Sequence, residues 1–225
     1  MLLSALTSGS LLTIVVTIVA AIFLVLVSIP VHEAAHAYAA YKLGDKSIKA
    51  QGRLTLNPLV HIDPIGAIMI VLIGFGWGRP TPVNSRDFKN PKKDMALVAF
   101  AGPLSNLLVG WLLLFIRAIL VTFAPGFMTM FIGQAVSIFL VTTSQISIWL
   151  GVLNLLPIPM FDGFTILSAF LPPETEYKIM QNQGVISIVI ILLLFTGILT
   201  KPVAFLADFV IAFLNYISFL PFSWF

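Results

Sequence analysis

The chain has 225 residues, of which 59% are hydrophobic and only 9% charged, with a mean hydropathy of +1.06. A soluble domain carries roughly a quarter charged residues, so the composition excludes a water-soluble globular protein and predicts an integral membrane protein. Cysteine is absent, which excludes disulfides and thiolate metal sites, and a scattered net charge of +3 excludes a nucleic-acid binder.

A span needs about 20 apolar residues, so the chain holds about five to six transmembrane helices and little else. One membrane-embedded domain is expected over residues 1–225, with a core at 10–171 and a C-terminal helix pair at 184–220. No charged side chain precedes His32. Leu11–Val31 is long enough to span, and its apolar pattern runs on to Gly44, a helix stop. A cleavable signal peptide would need a basic start and an apolar stretch of about 7–15 residues, and neither is present. Pro30 removes a backbone donor and predicts a kink. Ile48–Leu56 alternates apolar or small with polar residues, which predicts a short β-strand. Pro64–Trp77 is apolar but, at 14 residues, suits a re-entrant or interfacial segment. Arg79–Asp94 reads as a surface loop. Apolar spans follow at Met95–Phe123 and Phe131–Leu156, then a pair split by Lys201-Pro202 into Gly184–Thr200 and Val203–Leu220. The expected fold class is an all-α polytopic membrane protein with a β-strand/re-entrant region after its first helix.

Nine of the twelve Lys and Arg residues lie between Lys42 and Lys93. The positive-inside rule puts this stretch in the cytoplasm, with the N-terminus outside. The compact build suggests a bacterial plasma membrane.

His32-Glu33-Ala34-Ala35-His36 carries the chemistry. Positions i and i+4 share one face of a helix, so both imidazoles can reach one zinc ion. Glu33, rotated by about 100°, can serve as general base toward the attacking water. Ionisable groups inside a span are costly and usually functional; the competing reading is a helix that has emerged into headgroups. A catalytic zinc needs a third protein ligand. Asp45, Asp63, Asp87 and Asp94 sit among basic residues, Glu174 and Glu176 follow Pro172-Pro173 in a surface turn, and Asp208 lies in the last segment. Asp162 differs, because it follows an apolar span on backbone that Pro157 and Pro159 keep irregular. An ordinary Asp-Gly turn is the competing reading there. His61 is either an alternate ligand or a hydrogen-bonded structural residue. Asn106 and Asn154 lie in apolar spans. Each either makes an interhelical hydrogen bond, worth about 0.6–2 kcal/mol, or holds a substrate carbonyl.

Taken together, these motifs resemble an intramembrane zinc metalloprotease of the site-two protease family (peptidase family M50), in a compact form without PDZ or CBS domains. The resemblance runs from about Pro30 to Phe170. It includes Gly52-Arg53-Leu54-Thr55-Leu56-Asn57-Pro58, His61-Ile62-Asp63-Pro64-Ile65-Gly66, Gly76-Trp77-Gly78-Arg79-Pro80, Gly102-Pro103-Leu104-Ser105-Asn106 and Asp162-Gly163. It implies His32, His36 and Asp162 as ligands of Zn2+, Glu33 as the catalytic acid/base, and Asn106 facing the active-site cleft. It also implies single-pass membrane-protein substrates cut within or near the bilayer in regulated intramembrane proteolysis, with a regulatory membrane partner.

The alternative from another class is a membrane metal transporter or a non-catalytic metal-binding membrane protein. Transporters usually carry internal repeats, and none is visible. A glutamate beside the first histidine is needed for hydrolysis and superfluous for transport.

Overall fold

The structure, a computed structural model, describes residues 11–73 and 76–224. The first span consists of α1 (Leu11–Phe23), a single π turn at Leu24–Ser28 and α2 (Ile29–Leu43). Pro30 accounts for the π turn. It has no N–H, and in a regular helix its ring strikes the carbonyl four residues earlier. Widening the turn, so that Ile29 N–H donates to Leu24 O, accommodates it. The break expected at Pro30 therefore takes the form of a π turn one helical turn before His32. Gly44 ends α2 with φ 132° and donates its N–H to Ala40 O.

The strand expected at Ile48–Leu56 does not form. Asp45 Oδ1 accepts from Ser47 N–H (3.0 Å) and Ser47 Oγ (2.6 Å), starting the short helix α3 (Ser47–Ala50). Ile48 is fully buried in a cluster with Ala37, Ala40, Phe88 and Val98. Gly52 then takes φ 68° and turns the chain. One buried side chain inside a tight turn outweighs a period-two pattern that has no partner strand to pair with. The one bridge among the described residues is an isolated antiparallel pair, Ile62 with Gly78. The short helix α4 (Pro58–His61) precedes this bridge, and α5 (Pro64–Ile73) lies between its two residues. The ten residues of α5 rise about 15 Å, half the roughly 30 Å apolar core of a bilayer.

A 3-10 turn at Ser85–Asp87 precedes α6 (Pro91–Phe123) and α7 (Pro125–Thr129). Then come α8 (Phe131–Asn154), α9 (Asp162–Ser168), α10 (Pro173–Gln181), α11 (Gln183–Phe195) and α12 (Thr200–Phe219). Among the described residues four helical stretches are long and apolar enough to cross a membrane: Ile14–Leu43, Pro91–Phe123, Phe131–Asn154 and Thr200–Phe222. The α10–α11 pair, bent by 67°, makes a fifth if counted as one broken span. The count is thus four or five, against the expected five to six. Leu104, Leu108, Leu112 and Ile116 form an exposed stripe on α6, as do Phe205, Phe209 and Phe213 on α12. Such stripes suit lipid and would be a liability in water.

Helix α6 is the centre of the bundle, packing on α8 and α2 and, less extensively, on α9 and α12. Gly110 lies against Ile148 and Ser144, and Gly151 against Pro103 O and Asn106 Cβ; small residues here let the helices approach closely. These pairings make α6 antiparallel to α8. The contacts of Val98 and Asn106 with His36 and His32 make it antiparallel to α2 as well. The end of the first span, the start of α6 and the end of α8 therefore meet at one end of the bundle.

Candidate active site

His32 and His36, one turn apart on α2, point at the first residue of α9. His32 Nε2 lies 3.1 Å from Asp162 Oδ2 and 3.0 Å from His36 Nε2, and His36 Nε2 lies 3.4 Å from Asp162 Oδ2. Zinc–ligand bonds of about 2.0–2.1 Å at tetrahedral angles space the donors about 3.3 Å apart, so the triangle has the dimensions of one face of a zinc site. Two imidazoles and a carboxylate are a donor set that zinc takes. Asp162 Oδ2 is buried without a hydrogen-bond donor, which a cation would remedy. These three are the one group of this kind among the described residues.

Each histidine is oriented through its other nitrogen, as metal ligands usually are. His36 Nδ1–H donates to Val98 O (2.7 Å), leaving the Nε2 lone pair for a metal. His32 Nδ1 lies 3.0 Å from Asn106 Nδ2, while Asn106 Oδ1 is buried without a partner. Amide oxygen and nitrogen are assigned from the hydrogen-bond network, and here the opposite assignment is the better one. With Oδ1 facing His32, Nδ1–H donates to it, the orphaned acceptor is satisfied, and His32 Nε2 is free for a metal.

Gly102, on α6 above both rings, is a residue whose role the sequence left unread. A Cβ at this position would lie 2.7 Å from His32 Nε2 and closer still to His36 Nε2. The only side chain that leaves the triangle open is none. The signal was a glycine inside an apolar helix, which lowers helix propensity and so points to close packing. At the other corner Phe161, in extended backbone, precedes α9, and Gly163 fits where a Cβ would strike Leu155 O.

Glu33 stands one residue round the helix from His32. Its Oε2 accepts from Thr81 N–H (2.9 Å) and from Thr81 Oγ1 (2.9 Å). Glu33, His32, His36 and Asp162 all line one cavity of about 500 Å³, with Trp77, Thr81, Trp149 and Asn154 on its walls. The non-helical segment Gly76–Val83 lines one side of it, and no residue of Ile48–Leu56 does.

The asparagines separate. Asn154 reaches the cavity and donates Nδ2–H to Leu150 O (3.0 Å). Asn106 has no exposed surface, is absent from the cavity wall and contacts His32, the interhelical hydrogen bond that the sequence left open beside a substrate contact. His61 is fully buried outside the triangle, its Nε2–H donating to Thr55 O (2.8 Å), which agrees with the structural reading.

The family model described as peptidase family M50 matches residues 20–199, a range that contains His32, Glu33, His36 and Asp162. The chain is 41% identical over 174 residues to a Bacillus subtilis protein provisionally named zinc metalloprotease YwhC, covering 76% of this chain and 78% of the relative. It is 32% identical over 181 residues to a Mycolicibacterium smegmatis protein provisionally named zinc metalloprotease Rip2, covering 78% of this chain and 66% of that protein. The Mycobacterium tuberculosis protein of the same name is 34% identical over 174 residues, covering 76% and 64%. The chain thus spans about two thirds of the length of the two mycobacterial relatives. No solved structure matches it. A family match over most of the chain, joined to a His-His-Asp group able to hold a metal ion in apolar helices, establishes that the protein belongs to peptidase family M50, as a zinc-dependent intramembrane metalloprotease.

Proposed function

We propose that His32, His36 and Asp162 hold the zinc, and that Glu33 is the acid/base in hydrolysing peptide bonds of single-pass membrane proteins. The observation that carries this reading is the placement of Glu33: it shares the cavity with the three ligands, yet its carboxylate is tethered apart from them. A transporter needs the ligands and has no use for a fourth, separately held carboxylate. Bound zinc supplies Lewis acidity toward water and the scissile carbonyl. Glu33 Oε1 takes a proton from the attacking water and delivers it to the leaving amine nitrogen. Asn106 keeps His32 in its ligating tautomer. Asn154 has committed one amide hydrogen to Leu150 O and offers the other to a substrate carbonyl. Peptide carbonyls in a helix are already hydrogen-bonded, so the scissile stretch must unwind, and the non-helical Gly76–Val83 on the cavity wall is the backbone beside which it would lie. A lone span unwinds at less cost than one packed in a bundle, which favours single-pass substrates.

The same reading makes the protein multi-pass in a bacterial plasma membrane, with the N-terminus outside and the site near the cytoplasmic face. The basic stretch from Lys42 to Lys93 supports that orientation, and the relatives are bacterial.

The test is Glu33→Gln, purified beside the wild type and assayed for zinc and for cleavage. Zinc should stay at the wild-type level while cleavage falls by about 10²–10⁴-fold or more. Undiminished cleavage would remove Glu33 from the chemistry, and a wild type that moved metal but cut nothing would favour the transporter.

A further inference from the structure

Among the described residues, Thr81 alone hydrogen-bonds the Glu33 carboxylate, and it does so twice. Its N–H and its Oγ1 each lie 2.9 Å from the same oxygen, Oε2. Oγ1 is also 3.1 Å from Glu33 O. A hydroxyl has one hydrogen to give, and the charged oxygen is the stronger acceptor. Oε1 accepts from no described residue and is left for the cavity that Glu33 lines.

Thr81 has little freedom to turn away. It stands between Pro80 and Pro82; both rings fix their own φ, and Pro82 keeps Thr81 extended. On one side of it Arg53, only 6% exposed, donates to Val60 O (2.9 Å) and Arg79 O (3.3 Å). Arg79 N–H donates to His61 O (2.7 Å). On the other side Asn84 N–H donates to Oδ2 of the fully buried Asp45 (2.7 Å). Gly78 brings the segment onto the first span, where a Cβ would lie 2.7 Å from Ile29 Cγ2. A buried arginine and a buried aspartate thus anchor the segment on either side of Thr81.

We infer that Thr81 is a positioning residue for the general base: it pins one carboxylate oxygen of Glu33 so that the other is presented to the attacking water. This rests on the reading of Glu33 given above. Glutamate has three freely rotating side-chain bonds, and a base that wanders spends little time in the geometry that reacts. The effect belongs to turnover and not to zinc, since the hydrogen bonds of Thr81 go to Glu33 and to none of the three ligands. It also acts only through Glu33, so it should vanish when Glu33 cannot accept a proton.

Thr81→Val keeps the shape and the N–H and removes the hydroxyl; Thr81→Ser restores it. The probe is fluorescein-labelled casein in detergent, an unfolded chain that needs no helix unwinding. Thr81→Val should lower kcat by about tenfold with KM and zinc content unchanged, and Thr81→Ser should recover most of the loss. In the Glu33→Gln background Thr81→Val should cost nothing further, because the two residues act as a unit. Wild-type kcat in Thr81→Val, an equal loss in Thr81→Ser, a loss of zinc, or a further tenfold loss in the double variant would each overturn the inference. Full activity in Glu33→Gln would overturn the reading of Glu33 itself. Loss in Glu33→Gln with none in Thr81→Val would overturn the role of Thr81 alone.

Discussion

The metal triangle and the Thr81 segment lie side by side in one cavity but are held by different means. The triangle belongs to the helix bundle. His32 and His36 project from α2, Asp162 begins α9, and Val98, Gly102 and Asn106 of α6 lie against the two imidazoles. The Glu33 carboxylate, although its backbone is in the same helix, is held by irregular chain between α5 and α6. Ligands on packed helices move with the bundle, whereas a carboxylate at the end of a long side chain is aimed by whatever accepts or donates at its tip. Metal retention and turnover should therefore be separable by mutation, with α6 and α9 governing the first and the segment around Thr81 the second.

The largest effect should come from breaking the triangle. Asp162→Ala leaves two imidazoles, too few for a tight site, so zinc measured after dialysis should fall to a trace and cleavage should be lost with it. Full zinc and full activity in that variant would place the third ligand elsewhere. Gly102→Ala is the next in size and the sharper test of the bundle's part, since it alters no ligand. Its Cβ crowds both Nε2 atoms, and zinc affinity by competition with a chelator should weaken by about 10–100-fold, the range seen when residues supporting a metal ligand are changed. The smallest effect belongs to the anchors of the Thr81 segment. Asp45→Ala strips Asn84 N–H and Ser47 of their acceptor, and each such hydrogen bond lost at a partly exposed site costs about 1 kcal/mol. Thermal stability should drop and kcat should fall several-fold, with zinc affinity unchanged. If Asp45→Ala released zinc as readily as Gly102→Ala, the division between bundle and segment would fail.

Much of this was legible before any coordinates. The i, i+4 spacing of His32 and His36 brings two imidazoles together on any helix, and the helix was plain from the apolar run that ends at Gly44. Asp162 stood out because an acid follows a span on proline-broken backbone, and it does meet the histidines. The strand at Ile48–Leu56 misled because alternation records which side chains face inward, and a buried Ile48 inside a turn writes the same pattern. The span count, four or five against the expected five to six, turns on α10 and α11, a pair bent by 67° that reaches five only if taken as one span, and hydropathy does not see bends. For Asn106 the residue pattern left an interhelical hydrogen bond and a substrate contact open, and only the resemblance pointed to the cleft; an asparagine in an apolar span must be satisfied by something, and the pattern is silent on whether that is a histidine, as His32 is here, or a peptide.

The sequence by itself determined the membrane setting and a helix that places His32 and His36 on one face with Glu33 beside them, because burial and helical spacing are periodic properties of a single segment. The tertiary structure decided how Asp162 meets the two histidines, why position 102 must be glycine and what holds the Glu33 carboxylate. Those depend on how closely α6 packs against α2 and on where buried Asp45 and Arg53 tether a segment far away in the chain, distances that no one-dimensional pattern encodes.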